Sequence, residues 1–249
     1  VYCKVDKFDT SSVTDMSNLF IWDNNLLELD VSNWDTSEVI DMSWMFYSCS
    51  SLTSLDVSNF NTEQVTKMNN MFGDLEKVTR LDVSKFNTKN VKSMDFMFFG
   101  CNALVSLDLS NFSNDNLISM KRMFFQCSAL QSLNLKNFKT TKVEDMSYAF
   151  ANCNNLKTLD LSSFETSNVK NMRGMFERCK SLFYVNIRKF NTENVEDMAY
   201  MFNKCYSLVS VDTDNFCAPK VKSMISMFYS CKALTSLDLS KFGGEHRGR

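Results

Sequence analysis

The chain has 249 residues, is 44% hydrophobic and 22% charged, and carries a formal net charge of −2. That apolar share is enough for a core, while the near-neutral balance excludes the basic surplus that marks a nucleic-acid partner. Its apolar runs are too short to read as a membrane span, and with only six Gly and one Pro the turns must be built from Ser, Asn, Asp and Thr.

The chain opens Val1-Tyr2-Cys3-Lys4-Val5, without an initiator Met or an apolar signal core. Any export signal is therefore expected outside this sequence. From Phe8 onward one aromatic column sets the register: Phe8, Trp34, Phe60, Phe86, Phe112, Phe138, Phe164, Phe190, Phe216 and Phe242, every step 26 residues. With that aromatic as position 1, the unit reads F-x-T-x-x-V-x-x-M-x-x-M-F-x-x-C-x-x-L-x-x-L-D-L-S-N. Position 9 is Met in all nine copies (Met16 to Met224), and position 13 is Phe in all nine (Phe20 to Phe228). Counted this way, Val1 falls at position 20 of a preceding copy, so the sequence reads as a piece of a longer array.

Each copy carries two apolar periods. In Val91, Met94, Met97, Phe98 and Cys101 the spacing i, i+3, i+6, i+7, i+10 predicts one face of a short helix over positions 6 to 16. Thr88 sits where its N-cap would be. Leu107-Asp108-Leu109 alternates inward and outward, which predicts a short strand. One copy cannot bury both faces alone, so copies must stack. The expected fold is an α/β solenoid, with one parallel sheet on one side and short helices on the other. Nine copies at strand spacing make a rod roughly 40–50 Å long. Residues 1–242 form this solenoid, and 243–249 are expected to be a disordered tail.

The string from Cys101 to Phe112, C-x-x-L-x-x-L-D-L-S-x-F, resembles the leucine-rich repeat. The fuller string from Phe60 to Phe72 resembles the BspA-like (DUF285) repeats of microbial surface proteins, mycoplasma lipoproteins among them. The resemblance covers nearly the whole chain. It implies a leucine-rich-repeat superhelix and a non-catalytic adhesion or interaction role at the cell surface or in secreted form, with a protein or glycan ligand. It brings no catalytic motif and names no ligand.

Several columns invite chemistry. Cys49, Cys101, Cys127, Cys153, Cys179, Cys205 and Cys231 share position 16 with Leu75, so they read as buried free thiols rather than metal ligands. Cys3 also reads as core, and Cys217 as the more exposed thiol. The 16 Met fall in two columns beside the Phe and read as core. Position 23 holds seven Asp, from Asp30 to Asp238, with Asn134 and Asn186 in the other two copies. Like charges on adjacent strands repel, so compensation by the Ser at position 25 is expected, and a bridging cation is the alternative. The one histidine, His246, lies in the tail, and no nucleophile motif, P-loop or dinucleotide fingerprint occurs. The reading is no enzyme, no cofactor and no metal site.

Ligand information must then sit where copies depart from the template. On the sheet face the outward positions 21, 23 and 25 change to Asn134 and Lys136 in copy five and to Tyr184, Asn186 and Arg188 in copy seven, with Tyr206 nearby in copy eight. These are the ligand-binding candidates, since Tyr beside Arg has hot-spot chemistry. At position 11 Trp44, Phe96, Tyr148 and Tyr200 recur every 52 residues and are the interface candidates. Each ring either packs over its smaller neighbours or lines a contact surface. The alternative to ligand binding is a structural, self-assembling element that forms homo-oligomers through those aromatics or through uncapped ends.

Overall fold

The computed structural model describes residues 2, 3, 5 and 8–242. The expected tail 243–249, with His246, and the side chain of Cys3 lie outside the described residues.

Each 26-residue copy makes one coil of a solenoid, stacked on its neighbours with equivalent residues in register. Its spine is not the expected sheet. Parallel bridges run unbroken through position 8: Asp15, Asp41, Lys67, Ser93, Ser119, Asp145, Asn171, Asp197 and Ser223. Around them, N–H groups reach to adjacent coils, as from Ile40 to the Thr14 carbonyl (2.8 Å) and from Met42 to the Lys67 carbonyl (3.1 Å).

The helix expected over positions 6 to 16 does not form; among the described residues there is none. The segment is a run of tight turns with alternating hydrogen bonds. Tyr47 and Cys49 donate back within the coil, to the Trp44 (3.1 Å) and Phe46 (3.2 Å) carbonyls. Trp44, Phe46 and Ser48 donate instead to the next coil, at Asn69 (2.8 Å), Met71 (3.0 Å) and Gly73 (2.8 Å). Positions 11 and 15 have positive φ in every copy, as at Trp44 (62°) and Ser48 (61°). The physical reason is the rise of the stack. Position-13 rings lie face to face from coil to coil, 6.0 Å apart for Phe46 and Phe72 and 5.2 Å for Phe176 and Phe202. A helix is about 10–12 Å across with its side chains, so one per coil cannot fit that step. Turns that exchange every second N–H with a neighbour can.

The sheet side is also less regular than expected. The strands β1 (Tyr2–Cys3), β2 (Glu28–Leu29), β3 (Ser106–Asp108), β4 (Ser132–Asn134), β5 (Thr158–Asp160) and β6 (Tyr184–Asn186) pair in parallel as β1–β2, β3–β4 and β5–β6. Their register is 26 residues, as in Leu107 opposite Leu133. One face is thus broken into two-stranded patches rather than one continuous sheet.

Between the two sides lies the core. Position-9 and position-12 Met, position-13 Phe and position-16 Cys are buried from coil two to coil eight. Fully burying a Phe or Met side chain contributes roughly 1.5–3 kcal/mol each, and the Phe and Met columns repeat that gain from coil to coil. The threonines read as N-caps work between coils instead: Thr62 Oγ1 donates to the Asn87 carbonyl (3.0 Å) and accepts the Asn87 N–H (2.7 Å).

Candidate interaction surfaces

The Asp column is held locally. Asp56, Asp82 and Asp108 each accept the N–H of the Ser two residues on, at 2.9 Å, closing the turn that ends the strand segment. These bonds hold the three carboxyls below the ordinary carboxylate range, with the Ser hydroxyl the largest cause. Asn186 Nδ2 donates to Asp160 Oδ1 (2.9 Å), so an amide in the column bonds its neighbouring carboxylate where a seventh-copy Asp would repel it. Among the described residues no cluster of His, Cys, Asp and Glu is arranged to hold a metal ion.

Where strand segments are unpaired, hollows open on this face. One of about 550 Å³ spans coils two to four, floored by Leu55 and Leu81 and rimmed by Arg80, Asp56, Asp82 and Asp108. A second, of about 380 Å³, is lined by Leu133, Asn134, Lys136 and Asp160. A third, of about 270 Å³, is lined by Tyr184, Asn186, Arg188 and Asp212. In it Tyr184 is 47% exposed, and Arg188 Nε reaches Asp212 Oδ2 at 3.1 Å. Tyr206 is not among the residues lining this hollow; its ring lies under the Lys232 ammonium, 5.2 Å from the centroid. Arg80 was missed from sequence, although it departs from the Ser template at position 21 as Tyr184 does.

On the turn side the position-11 aromatics are half-buried and engaged laterally. Trp44 stands edge-on to Tyr47 (4.7 Å) and Phe96 to Phe99 (5.8 Å). Tyr148 Oη accepts from Arg173 Nε (3.0 Å), whose guanidinium also lies 4.9 Å from the Tyr200 ring and bonds Asp197 at 3.1 Å. Gly174, the copy between, has φ 58°, and a Cβ there would come within 2.3 Å of the Tyr148 ring. The position-14 rings Tyr47 and Phe99, and Arg173, went unread from sequence. Their signal was that they fall beside the position-11 departures in the same or adjacent copies.

The position-16 cysteines form a ladder in which each thiol donates to the position-13 carbonyl of the preceding coil, as Cys127 to Phe98 (3.0 Å) and Cys179 to Phe150 (3.0 Å). They are free thiols. Burial pushes the Cys49, Cys101 and Cys179 thiols up to about 12 and Cys231 to about 11.

A family model described as "Mycoplasma protein of unknown function, DUF285" matches residues 2–104, 74–182 and 145–245. No curated protein matches the sequence. Among solved structures, the chain is similar to a leucine-rich repeat protein from Bacteroides ovatus, at 17% identity over 92% of this chain and 65% of that one, with a TM-score of 0.44. It is also similar to a leucine-rich cell surface protein from Faecalibacterium prausnitzii (18% identity, 90% and 77% covered, TM-score 0.33) and to the leucine-rich repeat protein of T. pallidum (16% identity, 79% and 72% covered, TM-score 0.34).

Proposed function

Because the chain belongs to the DUF285 family, whose repeat fills it as a continuously bonded stack, we propose that it is a non-catalytic interaction module of a microbial cell-surface protein. Its ligand is a protein or a glycan bound on the strand face. The observation that carries the reading is the hollow at coils seven and eight, where an exposed Tyr184 and Arg188 replace the template serines beside Asn186. Phenolic ring, amide and guanidinium supply packing and directed donors on an unyielding support. Template Thr, Asn and Asp side chains are engaged in bonds that build the coil or join it to the next, which leaves little polar machinery for catalysis.

The test is binding of the purified chain to immobilised surface proteins and to a glycan array, repeated with Tyr184→Ser and Arg188→Ser together. That double change restores the template, so the stack should keep its stability. Loss of binding is expected. Unchanged affinity for a ligand found this way removes the strand-face hollow from consideration.

A further inference from the structure

Arg122 occupies position 11 of the fifth coil, between two of the position-11 aromatics. Its guanidinium carbon lies 5.5 Å from the Phe96 ring centroid, 5.4 Å from Phe125 and 5.2 Å from Tyr148, rings of coils four, five and six. Its backbone is held in the left-handed region (φ 53°) by a bond from its N–H to the Ser147 carbonyl (2.9 Å). Among the described residues no carboxylate pairs with it. Its Nε is buried and has no hydrogen-bond partner. Ser147 is itself 2% exposed, with an unpartnered hydroxyl. Both of these atoms are closed off from solvent, so a partner meets the half-buried Arg122 at its terminal guanidinium nitrogens. Arg173, two coils on, shows the contrast: Tyr148, Asp197 and the Tyr200 ring use its donors and its charge.

Aromatic faces attract a guanidinium by their quadrupole, but a ring does little for its N–H groups, which point outward in the guanidinium plane. A cation walled by three rings keeps that edge for an acceptor and has already lost its rotamer freedom, so little further entropy is lost on binding. The geometry matched by a planar fork is the carboxylate, held by two parallel hydrogen bonds. Apolar walls of three rings suit an acid group on a short aliphatic stem better than a hydroxyl-dense sugar. We infer that Arg122, walled by Phe96, Phe125 and Tyr148, is a carboxylate-binding site that takes an acidic side chain of a protein partner. It lies on the turn side and does not depend on the strand-face reading.

The experiment titrates the whole chain with a blocked glutamate peptide and, separately, its glutamine counterpart, following the arginine Nε–H resonances. The glutamate peptide is expected to shift the Arg122 signal saturably and the glutamine peptide to leave it in place. Arg122→Gln abolishes the effect. Arg122→Lys, which keeps the charge and loses the fork, weakens binding by about tenfold. Arg188→Gln leaves it unchanged. An Arg122 resonance unmoved by the glutamate peptide, or moved equally by both peptides, overturns the proposal. So does an acidic oligosaccharide of uronic acid units that binds Arg122 more tightly than the peptide. The titration of the unaltered chain decides the matter even if a variant fails to fold.

Discussion

The Thr36 hydroxyl donates to the Asn61 carbonyl at 2.9 Å and accepts the Asn61 N–H at 2.8 Å, so one side chain closes a two-bond bracket between successive coils. The same bracket joins Thr140 to Glu165 (2.8 and 2.9 Å) and Thr166 to Asn191 (2.8 and 2.8 Å). Only backbone atoms answer the hydroxyl, which is why position 2 varies freely among Asn, Glu and others while position 3 is Thr in seven of the nine copies.

Thr166→Val should therefore destabilise the stack by about 1–3 kcal/mol, since it leaves a buried N–H and carbonyl without their partner. Thr192 provides the control: it is buried at the same position, yet its hydroxyl has no partner. Thr192→Val is expected to be neutral or slightly stabilising. Chemical denaturation of both variants compares them, and equal losses would show that shape rather than hydrogen bonding sets the column.

Gly174→Ala is expected to cost about 1–3 kcal/mol, because φ there is 58° and the new methyl meets the Tyr148 ring. The Tyr148 ring must then move, which also loosens its bond to Arg173. A thermal midpoint lowered in Gly174→Ala but restored in the double variant with Tyr148→Ala would assign the loss to that contact; no restoration would leave the backbone strain as the cause.

The thiol ladder predicts both silence and a pH limit. Native alkylation near neutral pH should label few position-16 cysteines, because burial keeps them protonated thiols, and unfolding should expose all of them. Folded thiols hold their protons up to about 12 or 11 where unfolded ones release them near the ordinary value of 9.0. Between those values the native state binds more protons than the unfolded chain, so its stability is whole below about pH 9 and falls as pH rises. Denaturation midpoints from pH 8 to pH 11 test the sign; a flat profile would contradict it.

The Asp column predicts the opposite end of the scale. Carboxyls such as Asp56 and Asp82 sit below the ordinary value of 3.8 through their bonds to Ser58 and Ser84, so their contribution is present above that value and is lost as pH falls through the folded one. Asp82→Asn keeps an acceptor for the Ser84 N–H, as Asn134 does for Lys136 (3.2 Å), and is expected to leave stability at pH 7 within about 0.5 kcal/mol. Asp82→Ala, which opens the turn, should cost more, about 0.5–2 kcal/mol by analogy with lost side-chain caps. Urea midpoints at pH 7 and pH 3 check both statements.

The period, the inward columns and the pairing register of 26 residues were legible because each is a property of one copy compared with the next. Met94, Phe98 and Cys101 had to be inside, and Asp108 had to be outside, whatever the backbone between them did. The conformation of positions 6 to 16 was not legible, because the spacing of Val91, Met94, Met97 and Phe98 fits a helix face and a chain of tight turns alike. The stack decided it: a step of 5.2 to 6.0 Å between rings such as Phe176 and Phe202 or Phe46 and Phe72 is about half a helix's width, and it hands every second N–H to the adjacent coil. For the same reason the position-3 threonine, a cap by its spacing, is a bracket at Thr36, and Arg122 stands among rings of three coils. Residues 26 positions apart become lateral neighbours only through stacking, and the contacts that such neighbours make belong to the tertiary structure alone.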